Sequence, residues 1–103
     1  MIFFLEIIKQ LNNDELTLVL VGELNSYTAP ELEAVIKNDL NNVKKLIIDF
    51  EKLDYLSSAG LRVLLVAQKI MNKQGKMTLR HVNSSVMEIF TITGFSNILD
   101  IEN

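Results

Sequence analysis

The spacing of apolar residues along the chain changes from one period to another several times. Phe3 to Lys9 and Glu15 to Gly22 read as strands. They are joined at "NND", a turn-prone cluster, which predicts an antiparallel hairpin. The period then becomes helical. Leu32, Val35, Ile36 and Leu40 recur at helix spacing behind Thr28 and Glu31, which match a capping box, with Pro30 in the tolerated first turn. "VKKLIIDF" is a compact aliphatic run ending near Asp49, as expected of a strand covered on both faces. A second helix is predicted from about Ser58 to Lys73. "KMTLRHV" alternates as a strand, Ser85 with Glu88 match a second capping box, and Val86, Ile89, Phe90 and Ile92 build a third helix before Gly94 stops it. Ile98 to Ile101 is expected as a short last strand.

Strands alternating with helices over short connections imply an α/β fold: a mixed, mostly parallel sheet with an N-terminal antiparallel strand, layered against helices. No internal repeat or linker-like stretch divides the 103 residues, so a single domain covering 1–103 is expected. In such sheets, binding sites gather at the carboxyl ends of strands. The stretch "DYLSSAGLRVLL", Asp54 to Leu65, follows the central aliphatic strand and falls in that place.

Composition narrows the chemistry. With 13 acidic against 10 basic side chains the formal net charge is −3, which argues against a basic footprint for nucleic acid and leaves a protein partner or small ligand. The chain has no cysteine, which excludes disulfides and thiolate metal sites and fits a cytoplasmic location. "MIFFLEIIKQ" lacks a basic leader and a small-residue cleavage site, and "AGLRVLLVAQKIM" is broken by Arg62, Gln68 and Lys69; neither is expected to insert into a membrane.

On a helical wheel, Gly60, Leu64, Ala67 and Met71 share the sector expected to face the sheet, flanked by Leu61, Val63 and Ile70. Arg62, Lys69 and Lys73 form a stripe on the opposite side, bordered by Leu65 and Val66. That stripe is either a solvated face whose lysine stems cover apolar surface or a docking face for a partner. Ser57 and Ser58 fall where the helix begins, beside unpaired backbone N–H groups and the positive end of the dipole. On local chemistry two roles stand open: a helix cap, or an exposed hydroxyl that takes a phosphate.

"LDYLSSAGLRVLL" resembles the signature of the STAS family, the anti-sigma factor antagonists, in which an aliphatic strand ending in Asp leads through a short loop to "DSSGL" or "SSAGL" opening a helix. "LVLVGELNSYTAPEL" resembles a second landmark of that family, a strand ending "G-x-L-D" followed by "T-A-x-x-L". The resemblance covers essentially the whole chain. It implies a non-catalytic, cofactor-free regulator that binds an anti-sigma factor serine kinase when unphosphorylated, thereby releasing the sigma factor. Phosphorylation by that kinase switches it off, and a serine phosphatase restores it. Aligned on glycine and leucine, the motif places the phosphoacceptor at Ser58, with Ser57 second. Partner contact is expected at Asn25, Ser26 and Thr28, along Asp54, Tyr55, Ser57, Ser58, Ala59 and Gly60, and on the helix face bearing Arg62, Leu65 and Lys69. Two positions depart from the pattern: Asn25 and Ser57 stand where relatives have Asp. Asp49 matches the strand-end aspartate and is expected to order the following loop, the favoured role, or else to border the site.

Other function classes carry less of the sequence. A serine hydrolase needs a general base in reach of the nucleophile, and His81, the one histidine, is expected within a strand as a partly buried structural residue. There is no G-x-S-x-G elbow, phosphate-binding loop, paired-carboxylate or metal-ligand spacing, and no metal site is expected. Nucleotide binding would rest on a helix N-terminus alone. A constitutive STAS interaction subunit of a signalling or lipid-transport complex, with the serines acting only as caps, is the alternative within the same fold.

Overall fold

The structure is a computed structural model that describes residues 4–102. The first strand, β1 (Leu5–Asn12), pairs antiparallel with β2 (Glu15–Leu24) across a tight turn in which Asn13 takes a left-handed φ of 58°. Asparagine tolerates that conformation because its short polar side chain can bond locally. The expected hairpin is present, with both strands running further than the sequence pattern indicated; Phe3 lies outside the described residues.

From β2 onward the chain progresses in one direction: α1 (Ala29–Asp39), β3 (Lys45–Leu56), α2 (Ser58–Gln74) and β4 (Lys76–Arg80), with β2, β3 and β4 parallel in a sheet of order β1-β2-β3-β4. Right-handed crossovers stepping in one direction put α1 and α2 on the same face of the sheet. Leu16, Leu18, Leu20 and Leu24 of β2 and Leu46, Ile48 and Phe50 of β3 point under them and form the core with Leu32, Ile36, Leu64, Ala67 and Met71. Then come α3 (Ser84–Thr93) and a single 3₁₀ turn at Phe95–Asn97. Phe90 of α3 meets Phe50 edge-on at a ring separation of 6.2 Å, closing the core at that end.

Several expectations are corrected. β3 does not end at Asp49 but stays extended to Leu56, with irregularities in its register to β2 that absorb extra residues. Only its first half is sealed: Leu46, Ile47 and Ile48 are buried, whereas Glu51, Lys52, Asp54 and Tyr55 are exposed. β4 stops at Arg80, and His81 is not a half-buried strand residue; it lies beyond the strand, exposed, with a left-handed φ of 59°. Ile98 to Ile101 is not a strand. Ile98 is exposed, Leu99 enters the core, and Ile101 makes one parallel bridge to Leu79. In α3, Val86 and Phe90 are buried and Ile92 faces solvent.

The wheel assignment for α2 holds: Gly60, Leu61, Val63, Leu64, Ala67 and Met71 are buried, and Arg62, Lys69 and Lys73 are exposed. Gly60 is where α2 comes closest to the sheet. A Cβ there would stand 2.7 Å from both Leu24 Cγ and Leu56 Cδ1, inside van der Waals contact. Gly60→Leu is therefore expected to destabilise the fold by about 1–3 kcal/mol through overpacking. Urea unfolding checks this, and an unchanged midpoint would mean that the helix can ride up at no cost.

Candidate functional site

Two connections meet at the carboxyl ends of β2 and β3. The register pairs Glu23 with Tyr55 and Leu24 with Leu56, so the extended second half of β3 carries the serine segment up beside the β2–α1 loop. The Ser57 N–H then donates to the Leu24 carbonyl at 2.9 Å, tying the entry of α2 to the end of β2. Between the two connections lies an open cleft of about 300 Å³ lined by Glu23, Asn25, Ser26, Tyr27, Tyr55 and Ser57.

The β2–α1 loop is built around Asn25, which is almost fully buried. Its Oδ1 accepts from the N–H groups of Tyr27 (2.8 Å) and Thr28 (3.1 Å), and its backbone carbonyl accepts from Ala29 N–H. The expected capping box at Thr28 and Glu31 does not form. Thr28 is the residue before α1, but its hydroxyl donates to the Glu23 carbonyl at 2.7 Å and accepts from Asn25 N–H at 2.9 Å. The threonine thus staples the loop back onto β2, and asparagine supplies the acceptor for N–H groups at the helix entry. The second box fails similarly: Asn83, not Ser85, caps α3, its Oδ1 accepting from Val86 N–H at 2.9 Å. Asn25→Ala should cost about 1–2 kcal/mol, since the buried Thr28 N–H and the part-buried Tyr27 N–H lose their acceptor. Asn25→Asp keeps both acceptors and should cost less. Unfolding midpoints of the two variants in the same buffer decide between them, and equal losses would contradict this account of the loop.

The two serines have different surroundings. Ser57 is the N-cap of α2; its Oγ accepts from Gly60 N–H at 3.5 Å, a long bond, and its carbonyl accepts from Leu61 N–H. Ser58 is the first residue of α2 and is exposed, and no hydrogen bond engages its hydroxyl among the described residues. The structure gives the cap to Ser57 and leaves the Ser58 hydroxyl exposed.

Of the other expected contact residues, Ser26, Asp54, Tyr55, Arg62 and Lys69 are exposed, Ala59 and Leu65 are half-buried, and Asn25, Thr28 and Gly60 are buried and shape the surface from below. The cleft gathers Asn25, Ser26, Tyr55 and Ser57 but not Asp54 or Thr28. It adds Glu23, which sequence reasoning missed, and Tyr27, which lies inside the expected contact loop from Asn25 to Thr28. Tyr27 is 73% exposed and Tyr55 52%, and a tyrosine inside the loop "LNSYTA" was the available signal. Asp49 is remote from this cleft in its bonding: its Oδ1 accepts from Glu51 N–H at 3.0 Å and lies 2.9 Å from His81 Nδ1. Burial alone would raise the Asp49 carboxyl, but the Glu51 N–H and the His81 ring outweigh it and hold the group below its ordinary value. The same hydrogen bond raises His81 above the ordinary imidazole value.

The sheet order, the helix opened by serines and the loop folded around Asn25 together define a small mixed α/β fold, which comparison with known proteins places in a family. The STAS domain family matches residues 4–103, and the chain belongs to that family. Among curated relatives, BtrV of Bordetella bronchiseptica, named as a candidate anti-sigma factor antagonist, is 40% identical over 86 residues, covering 82% of this chain and 74% of the relative. The anti-sigma-B factor antagonist of Listeria monocytogenes is 31% identical over 100 residues, covering 93% of this chain and 86% of that protein. Among solved structures, an anti-sigma factor antagonist from Mycobacterium paratuberculosis superposes with a TM-score of 0.86 at 19% identity, covering 95% of this chain and 85% of the other. The Bacillus cell fate determinant SpoIIAA, in its phosphorylated form, gives a TM-score of 0.74 at 17% identity over 97% of this chain and 92% of its own. The protein is a regulatory binding protein and not an enzyme. No helix among the described residues is long and apolar enough to cross a membrane.

Proposed function

We propose that the protein is an anti-sigma factor antagonist that binds an anti-sigma factor serine kinase while Ser58 is free and releases it when Ser58 carries a phosphate. The observation that carries this reading is the separation of duties at the start of α2: Ser57 caps the helix, and the neighbouring hydroxyl of Ser58 is exposed and unengaged. A kinase can transfer a phosphoryl group to Ser58 without dismantling the cap. The names of the relatives support the antagonist role, and SpoIIAA, a protein of the same fold, exists in a phosphorylated form.

The docking surface extends from the cleft with Tyr27 and Tyr55, past Ser58, onto the outward face of α2, where exposed Arg62 and Lys69 flank half-buried Leu65. Exposed aromatic rings beside a charged rim are what protein interfaces favour. A serine phosphatase would return the protein to its binding form, and a cytoplasmic site of action fits a partner that controls transcription.

The test is incubation with the partner kinase and ATP, followed by intact mass and peptide mapping. One phosphate on Ser58 is the expected result. Phosphate on Ser84 or Thr28 in place of Ser58 would overturn the assignment. Protein isolated from its own cells bound to its partner and never phosphorylated would instead indicate a constitutive interaction subunit.

A further inference from the structure

Away from the cleft, three side chains with metal-binding atoms meet where β3 runs beside the end of β4. Asp49 is the register partner of Arg80, and His81 follows directly, so the end of β4 brings the imidazole to the Asp49 carboxylate. Glu51, two residues beyond Asp49, stands where the β3 register to β2 is irregular, and its N–H bonds back to Asp49 Oδ1. His81 Nδ1 lies 2.9 Å from Asp49 Oδ1 and 3.8 Å from Glu51 Oε2, and one ligand atom from each of the three residues falls within 4.8 Å of the others. None of these residues lines the cleft, and the regulatory reading does not use them.

We propose that Asp49, Glu51 and His81 form a binding site for a divalent first-row transition ion such as Zn²⁺ or Co²⁺. Four-coordinate ions with bonds of roughly 2.0–2.2 Å hold neighbouring ligand atoms about 3.3–3.6 Å apart, and the observed 2.9 and 3.8 Å straddle that spacing. Binding would replace the Asp49–His81 hydrogen bond with a bond from each group to the ion. An imidazole with two carboxylates is a borderline donor set, too nitrogen-rich for Mg²⁺ or Ca²⁺ and without the thiolate that favours Cu⁺. Two carboxylates also offset the charge of a dication. The neighbouring cation, Arg80, is already engaged by Glu102, with Nε 3.5 Å from Oε1, so its repulsion is partly cancelled. His81 and Glu51 are exposed and His81 also borders a recess of about 170 Å³, which leaves room for water to complete the coordination. Bound there, the ion would pin the second half of β3 to the end of β4 and stabilise the folded chain by mass action.

Untagged protein, stripped with a chelator, is titrated with Zn²⁺ by calorimetry and with Co²⁺ by visible absorption. The expected result is one ion per chain, with absorption typical of a nitrogen–oxygen site. His81→Asn, which keeps a residue tolerant of the left-handed backbone, and Glu51→Gln, at an exposed position, should each bind at least about tenfold more weakly. Asp49→Asn should do the same. Each metal-free variant is checked by circular dichroism, and the two at exposed positions should fold as the parent does. Absence of saturable binding, more than one ion per chain, or an affinity unchanged by both His81→Asn and Glu51→Gln would overturn the site.

Discussion

Ser58→Asp is expected to fold normally and to bind the partner kinase at least about tenfold more weakly than Ser58→Ala, a difference of about 1.4 kcal/mol or more. The folding half of that expectation follows from position. Negative charge at the first residue of α2 faces unpaired N–H groups and the positive end of the helix dipole, and Arg62 lies one turn along on the exposed side. The cap on Ser57 is untouched. The binding half follows from desolvation. A partner that covers Ser58 must strip water from a charge already close in sequence to Asp54, on a surface with Glu23 in the adjoining cleft. A buried charge without a prepared counter-charge costs several kcal/mol. A genuine phosphoserine carries nearly two charges and should weaken binding further. The comparison is a titration of each variant against the purified kinase, with circular dichroism reporting the fold. Equal affinities for the Ala and Asp variants would sink the phosphoswitch, while a tenfold gap with phosphate mapping elsewhere would sink only the choice of residue.

Gly75→Ala should be among the most damaging single substitutions in the chain, at about 3 kcal/mol. Gly75 follows the last turn of α2, where the chain passes beneath the segment before β3. A Cβ there would overlap the Lys44 carbonyl oxygen and approach the Lys44 Cα to 2.9 Å. These are backbone atoms with no rotamer to yield. The Lys44 carbonyl also accepts from Lys76 N–H at 2.9 Å, so moving it weakens the start of β4. Gly94→Ala is the control. Gly94 has a left-handed φ of 82° but nothing within 4 Å of an added Cβ, so only the conformational cost of about 1–2 kcal/mol applies. Guanidinium unfolding of both variants gives the comparison. If Gly94→Ala proved the more harmful, steric closeness at Gly75 would not be what limits stability.

What the sequence disclosed and what it hid divide along a physical line. Periodicity reports burial, and the buried face of α2, the β1–β2 hairpin and the parallel order were all readable from the spacing of Leu, Ile and Val. Hydrogen-bonding detail does not follow from spacing. Thr28–Glu31 and Ser85–Glu88 both satisfy the capping-box pattern, yet neither box forms: the Thr28 hydroxyl turns back to Glu23, Asn25 Oδ1 takes the Tyr27 and Thr28 N–H groups, and Asn83 caps α3 through Val86 N–H. The run from Ile98 to Ile101 shows the limit of short apolar stretches. Four residues with three apolar ones fit a strand or a tail, and the 3₁₀ turn before them leaves Leu99 inward and Ile98 outward. His81 was misplaced because alternation through "KMTLRHV" continues past the point where the backbone turns left-handed.

The substitution of Asn for Asp at position 25 also has a local explanation. Its Nδ2 faces Glu23 Oε1 at 3.5 Å in a part-buried setting, so an aspartate there would keep the two loop N–H bonds but set its second oxygen against Glu23, a smaller loss than removing the acceptor altogether. The sequence shows the departure from the family pattern, and only the three-dimensional neighbour shows why it is accommodated.

The assignment of capping and modification to adjacent serines bears on the lifetime of the molecule. If one hydroxyl did both jobs, each round of signalling would strip the helix of its cap and expose the segment to proteases. On the proposed switch, with Ser57 holding the end of α2, one copy would pass through many cycles of modification and repair at Ser58 without passing through a loosened state. Turnover of the protein and turnover of the signal would then be uncoupled, and a cell would set the abundance of this regulator independently of how often it is switched.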